Sequence, residues 1–162
     1  MRSLNEVEAM TSLAQVFLDE SRRYLRAEYL PSIERAVADL TDEQVWWRPN
    51  EASNSIGNLI LHLTGNVRQW ILGGVGRRPF ERYRQQEFDE RRVITKGRLL
   101  ADLRIVLDEA DSVLGELKAS GLSEPRRIFD EDTTVLSAIY HVVEHFSTHT
   151  GQILWIAKSR RG

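Results

Sequence analysis

Residues 133–158 read TTVLSAIYHVVEHFSTHTGQILWIAK, and the spacing within this stretch decides the fold. Thr133 or Thr134 can open a helix that runs to about Lys158. Lys158, Arg160 and Arg161 then complement the negative pole of the helix dipole. His141, His145 and His149 recur at steps of four. Each step advances about 40° around a helix axis, so the three form a slanted stripe. Ala138, Val142 and Ile156 flank the stripe on one side, which places it at the border of the apolar arc, looking partly inward.

Three other segments carry the same period. From about Glu8 to Leu40, Met10, Leu13, Ala14, Phe17, Leu18, Tyr24 and Leu25 lead into Ile33, Ala36, Val37 and Leu40. Pro31 is expected to kink or break that helix. From about Ser55 to Leu72, Ile56, Leu59, Ile60, Leu63, Val67, Trp70 and Ile71 form one face. Ser53, Asn54 or Ser55 serves as its N-cap, and Gly73, Gly74 and Gly76 are expected to end it. From about Lys96 to Ser120, Thr95 caps a stripe of Leu99, Leu100, Leu103, Val106, Leu107, Ala110, Val113, Leu114 and Leu117, with Gly121 at its close. No strand-like alternation of useful length is visible. The expectation is an all-α, four-helix bundle with long connectors, one domain over residues 1–162.

The connectors carry their own expectations. Trp46 and Trp47 should pack back on the helices. The charge run from Arg77 to Lys96 reads as solvated surface, though its length allows a functional role or a short helix. Ser123 to Asp132 reads as a polar link ending in Asp130, Glu131 and Asp132.

Composition narrows the function. The 162 residues include 22 Lys and Arg against 24 Asp and Glu, a net charge of −2. That balance argues against nucleic acid as a partner. The absence of cysteine excludes disulfides, thiolate metal sites and a thiol nucleophile of the chain's own. Met1 to Met10 has no apolar core of a signal peptide, and no apolar run approaches the roughly 20 residues of a membrane span. A cytoplasmic protein with no membrane partner is expected.

The four histidines carry the chemical signal. His141 and His149 lie about 12 Å apart along one axis, whereas a zinc–nitrogen bond is about 2.0–2.1 Å. One ion therefore takes an adjacent pair from this helix, and the third ligand must come from elsewhere. His62, midway along another helix, is the remaining histidine. Three protein ligands leave open metal positions, as catalytic sites do. The competing view is that these are surface histidines or satisfied core histidines. His141-Val-Val-Glu144-His145 also matches a zinc-peptidase signature with Glu144 as base. It is set aside because Glu144 projects about 100° away from His145. A ferritin-like di-iron site would need Glu-x-x-His pairs, which the final helix lacks.

His145-Phe-Ser-Thr-His149-Thr-Gly151-Gln152 resembles the H-x-x-x-H-x-G-Q signature of the DinB-like superfamily. Arg48-Pro49-Asn50, then Asn54-Ser55-Ile56-Gly57-Asn58-Leu59-Ile60-Leu61-His62-Leu63 with Gly65-Asn66, resembles that family's second helix and its metal histidine. The resemblance spans about Leu13 to Ala157 and is closest to a branch of unknown function. It implies a four-helix bundle, a divalent metal (zinc or nickel) on His62, His145 and His149, and a homodimer. His141 falls outside that triad, as a neighbour of the ligands or an alternative ligand. Relatives of this kind include thiol-dependent transferases and isomerases and proposed metal-dependent hydrolases. The resemblance thus implies a small-molecule substrate and a low-molecular-weight thiol, or water, as the activated group. Asn58 and Gln152 are candidate polar pocket walls, and Asp130, Glu131, Asp132 and Glu144 candidate bases. The alternative is a non-catalytic helical dimer in which a metal only fixes packing.

Overall fold

A computed structural model describes residues 4–161, with side chains over 13–160. The first helical rod is α1 (Leu4–Arg23), a π-helical turn (Tyr24–Tyr29) and α2 (Leu30–Val37), joined end to end. It begins a turn earlier than the expected Glu8, and Met10 on it lies outside the described side chains. Pro31 does not break this rod. The Leu30 N–H bonds to the Leu25 carbonyl five residues back, and Pro31 falls in the first turn of α2. Its missing N–H costs little there. Lys96 reaches the rod's C-terminal end, where its Nζ donates to the carbonyls of Val37, Ala38 and Leu40 at 3.1, 2.6 and 2.6 Å. A cation is favoured at that pole.

The first connector folds into the short α3 (Asp42–Val45), capped by Thr41 and Gln44 in a reciprocal capping box. Trp46 packs inward as expected, and its Nε1–H donates to the Ile94 carbonyl at 2.8 Å. The second rod is α4 (Ile56–Val67), which passes into a π-helical segment at Arg68–Val75. Ser55 is its N-cap, with Asn58 completing the capping box. Gly73 and Gly74 do not end this rod as expected. They lie within it, where the Phe80 ring and Ile128 press so closely that a Cβ would collide.

The charge run contains α5 (Arg84–Asp89), and α6 (Lys96–Gly115) follows with Thr95 as its N-cap. α6 stops at Gly115, short of the expected Ser120, and a 3₁₀ turn takes Ala119–Ser123. The polar link beyond it is a hairpin, which corrects the expectation of a chain without strands. β1 (Pro125–Ile128) pairs antiparallel with β2 (Glu131–Thr134), from Pro125 opposite Thr134 to Ile128 opposite Glu131. Only Ile128 is buried on β1, so no alternation announced it. Phe129, at φ 54°, makes the turn. The last rod is α7 (Val135–Arg161), opened by the Thr134 hydroxyl, which accepts from the Ser137 N–H at 3.2 Å.

The described residues are thus mostly helical, with one small two-stranded sheet among them. Its core joins Leu18, Ile33, Ile60, Leu103, Leu107 and Phe146, from every long rod, each almost fully buried. Burying a side chain of this kind contributes roughly 1.5–3 kcal/mol. α4 packs against α6 and α7, and α2 packs against α7. Among the described residues, no helix is long and apolar enough to cross a membrane.

Candidate metal centre

α4 and α7 run antiparallel along their contact, because His62 meets His145 and His149 while Asn66 and Trp70 meet His141. This pairing gathers three of the four histidines. The ring centroids of His62 lie 4.8 Å from His145 and 5.1 Å from His149, and His145 and His149 are 4.4 Å apart. One ligand nitrogen from each lies within 4.8 Å of the others, so His62, His145 and His149 form a group that could hold a metal ion.

The hydrogen bonds fix the protons. His62 Nδ1 is 2.8 Å from Glu87 Oε2. Arg82 Nη2 also lies 3.1 Å from Nδ1, but the Glu87 contact is shorter and a carboxylate held ionised only accepts, which favours the proton on Nδ1 and a lone pair on Nε2. His145 Nε2 is 2.7 Å from that lone pair, which makes it the donor. With the His145 proton carried on its Nδ1 instead, a divalent cation between the two rings would meet two lone pairs. His149 Nδ1–H donates to Gln152 Oε1 at 2.7 Å, leaving its Nε2 free as well. Metal-binding imidazoles usually tie their second nitrogen to a carboxylate or carbonyl in this way. The residues therefore fit a nitrogen-ligated divalent ion, and imidazole donors suit zinc, nickel, copper and iron alike.

Burial favours the neutral form of the three α7 rings. Burial, then the neighbouring imidazoles of His149, His62 and His141, push His145 down to about 3. Burial lowers His149 too, partly offset by its bond to Gln152, and burial lowers His141. Neutral imidazole is the form that binds metal. Burial alone would raise Glu87, but the Arg82 and His62 hydrogen bonds outweigh it and hold the carboxyl below its ordinary range.

Arg82 and Glu87 are the site residues that the sequence reading missed. Both lie in the run expected to be solvated, yet their side chains are only 5% and 13% exposed. Arg82 Nε and Nη2 grip the two Glu87 oxygens at 2.7 and 2.8 Å, and Nη1 donates to Gln69 Oε1 at 2.7 Å. Asn58 fastens the backbone beneath them. Its Nδ2 donates to the carbonyls of Glu87 and Glu90 at 2.9 and 3.1 Å, and its Oδ1 accepts from Ser55. Asn58 is therefore a buried strap rather than the expected pocket wall. Two signals pointed here. Phe80, Tyr83 and Phe88 are interleaved with the charges, and Phe88 packs on the His62 ring at 4.6 Å. Gly65, one turn beyond His62, is a costly residue inside a helix. It is there because the Glu87 carboxylate and Arg82 occupy the space of its Cβ.

The other expected residues lie as follows. His141 is outside the converging group. Its Nε2 accepts from Asn66 at 3.2 Å, and its ring is sandwiched between Trp70 at 4.3 Å and His145 at 5.2 Å. Glu144 is exposed, and Thr148 Oγ1 donates to it at 3.2 Å. Asp130 and Asp132 sit on the hairpin, where both pair with Arg127. Glu131, on the same hairpin, is exposed.

No curated protein matches the chain. A family model described as a protein of unknown function, DUF1572, matches residues 12–162, a span that includes every histidine and the whole Arg82–Glu87 segment. The chain belongs to the DUF1572 family.

Proposed function

We propose that this chain is a metal-dependent enzyme of the DinB-like type, a single four-helix bundle in which His62, His145 and His149 hold one zinc or nickel ion. The observation that carries this reading is the convergence of three imidazoles, two of which, His62 and His149, already have their outer nitrogen engaged. When bound, the ion supplies a Lewis acid that lowers the pKa of a thiol or water and so provides a nucleophile for transferase or hydrolase chemistry on a small molecule. The chain's own residues do the rest. Glu87 and Gln152 hold the proton on the outer nitrogen of His62 and His149, so each ring presents its Nε2 inward. Arg82 keeps Glu87 ionised. Phe88 and Trp70 shield the rings of His62 and His141. The functional unit is proposed to be a homodimer.

Elemental analysis of untagged protein, purified without a metal-affinity column, tests this beside His62→Ala. About one equivalent of zinc or nickel per chain, lost in the variant, is expected. No metal in the parent chain, and no uptake of zinc or nickel in titration, would overturn the proposal.

A further inference from the structure

A cleft of about 610 Å³ opens between the turn before α4 and the outer face of α7. Its lining, which includes none of the three histidines, adjoins the candidate metal centre through α4 and α7. Leu59 in its wall precedes His62 by one turn, and Gln152 in its wall follows His149 by one turn and accepts that ring's proton. Its size falls within the roughly 300–1,000 Å³ of small-molecule sites. Pro49, Leu59, Trp155 and Ile156 supply apolar wall. Trp155 is 63% exposed, a large indole with little of its own chain to cover it. Gly151 also lines the cleft, and nothing lies within 4 Å of where its Cβ would be. Unlike Gly65, this helical glycine leaves space that none of the described side chains fills.

Among the described residues, the lining contains no Asp, Glu, Lys or Arg. Another hollow beside the centre, of about 240 Å³, is lined by residues that include Arg68, Glu81, Arg82, Glu87 and Asp102, and part of that charge is already paired. With its Oε1 taken by His149, Gln152 has its amide N–H groups left to donate. A charged ligand in the uncharged cleft would lose water without gaining a counter-charge.

We propose that this cleft is the substrate subsite of the centre, and that it takes an uncharged small molecule with an aromatic or aliphatic body and a hydrogen-bond acceptor for Gln152. The inference rests on the metal-dependent reading above. Gln152 then serves both parts, orienting His149 through its oxygen and the ligand through its nitrogen.

The test titrates purified full-length protein with benzamide and with benzenesulfonate, a weakly coordinating anion of similar size. The indole N–H resonance of Trp155, assigned with Trp155→Phe, is followed by NMR. Benzamide is expected to shift it saturably, at least tenfold more tightly than benzenesulfonate. Gly151→Leu, whose side chain enters open space on a helix, should keep the parent's melting temperature and abolish the shift. Equal binding of the two probes, a shift that survives Gly151→Leu, or a Trp155 signal that responds to protein concentration and not to benzamide would each overturn the assignment. The last would mean that a second copy covers the cleft. Zinc titration of the same sample separates the two proposals. Zinc uptake without a benzamide shift removes the subsite alone, and a benzamide shift without zinc uptake removes the metal reading.

Discussion

Replacing Arg82 with Met should leave Glu87 as a buried carboxylate without its counter-charge. The Glu87 side chain is 13% exposed and receives charge-assisted hydrogen bonds from Arg82 at 2.7 and 2.8 Å. Removing one partner of a buried pair costs about 3–5 kcal/mol. For a chain of this length that lowers the melting temperature by roughly 6–20 °C. The double variant Arg82→Met, Glu87→Met removes both charges. Its main deficit is the unpartnered His62 Nδ1–H, worth about 1–3 kcal/mol. The double variant should therefore be more stable than Arg82→Met alone, a coupling that independent sites would not show. Urea unfolding of the metal-free proteins measures all three. Zinc affinity should follow a different order, with the double variant weakest because it lacks the carboxylate on His62, by about 10–100-fold relative to the parent. If Arg82→Met costs less than about 1 kcal/mol, the pair behaves like an exposed ion pair and the reasoning from burial fails.

The metal-free protein should lose stability as pH falls below about 6.5, the ordinary histidine value. Burial keeps His141, His145 and His149 neutral when folded, so the unfolded chain binds more protons, and the loss continues toward about 3 for His145. Urea midpoints between pH 7 and 5, above the carboxylate range, check this, and a flat profile would refute it. Gly65→Ala should push the Glu87 carboxylate off His62 and weaken zinc binding about 10–100-fold, read by competition with a chelating dye. An unchanged affinity would show that the carboxylate has no role in orienting the ring. Lys96→Met should cost about 1–3 kcal/mol, because three carbonyls at the end of α2 lose a charged donor. A urea midpoint equal to the parent's would place that ammonium effectively in water.

The helices and three of the histidines were legible because a period of three to four residues encodes a buried face. His62 lies among Leu59, Ile60 and Leu63, and His145 beside Phe146, so their inward direction could be read from neighbours. The π-helical turns were not legible, since a few residues of i→i+5 bonding leave the apolar spacing almost unchanged. The hairpin was hidden because its strands are four residues long and β1 buries one side chain. Arg82 and Glu87 were hidden for a different reason. Periodicity reports whether a face is apolar, and a pair of opposite charges that bury each other carries no such mark. Asn58 misled in a related way. Its position near His62 suggested a pocket, while its amide is spent on the backbone of a segment some thirty residues away.

The ring ligands ride on α4 and α7, whereas the carboxylate behind His62 arrives on α5, a short helix outside the packed rods. The two parts can change separately. Substitutions in the α5 segment alter basicity and ring orientation without repacking Leu103 or Phe146. Ion affinity is then set in part by a segment distinct from the helices that place the rings.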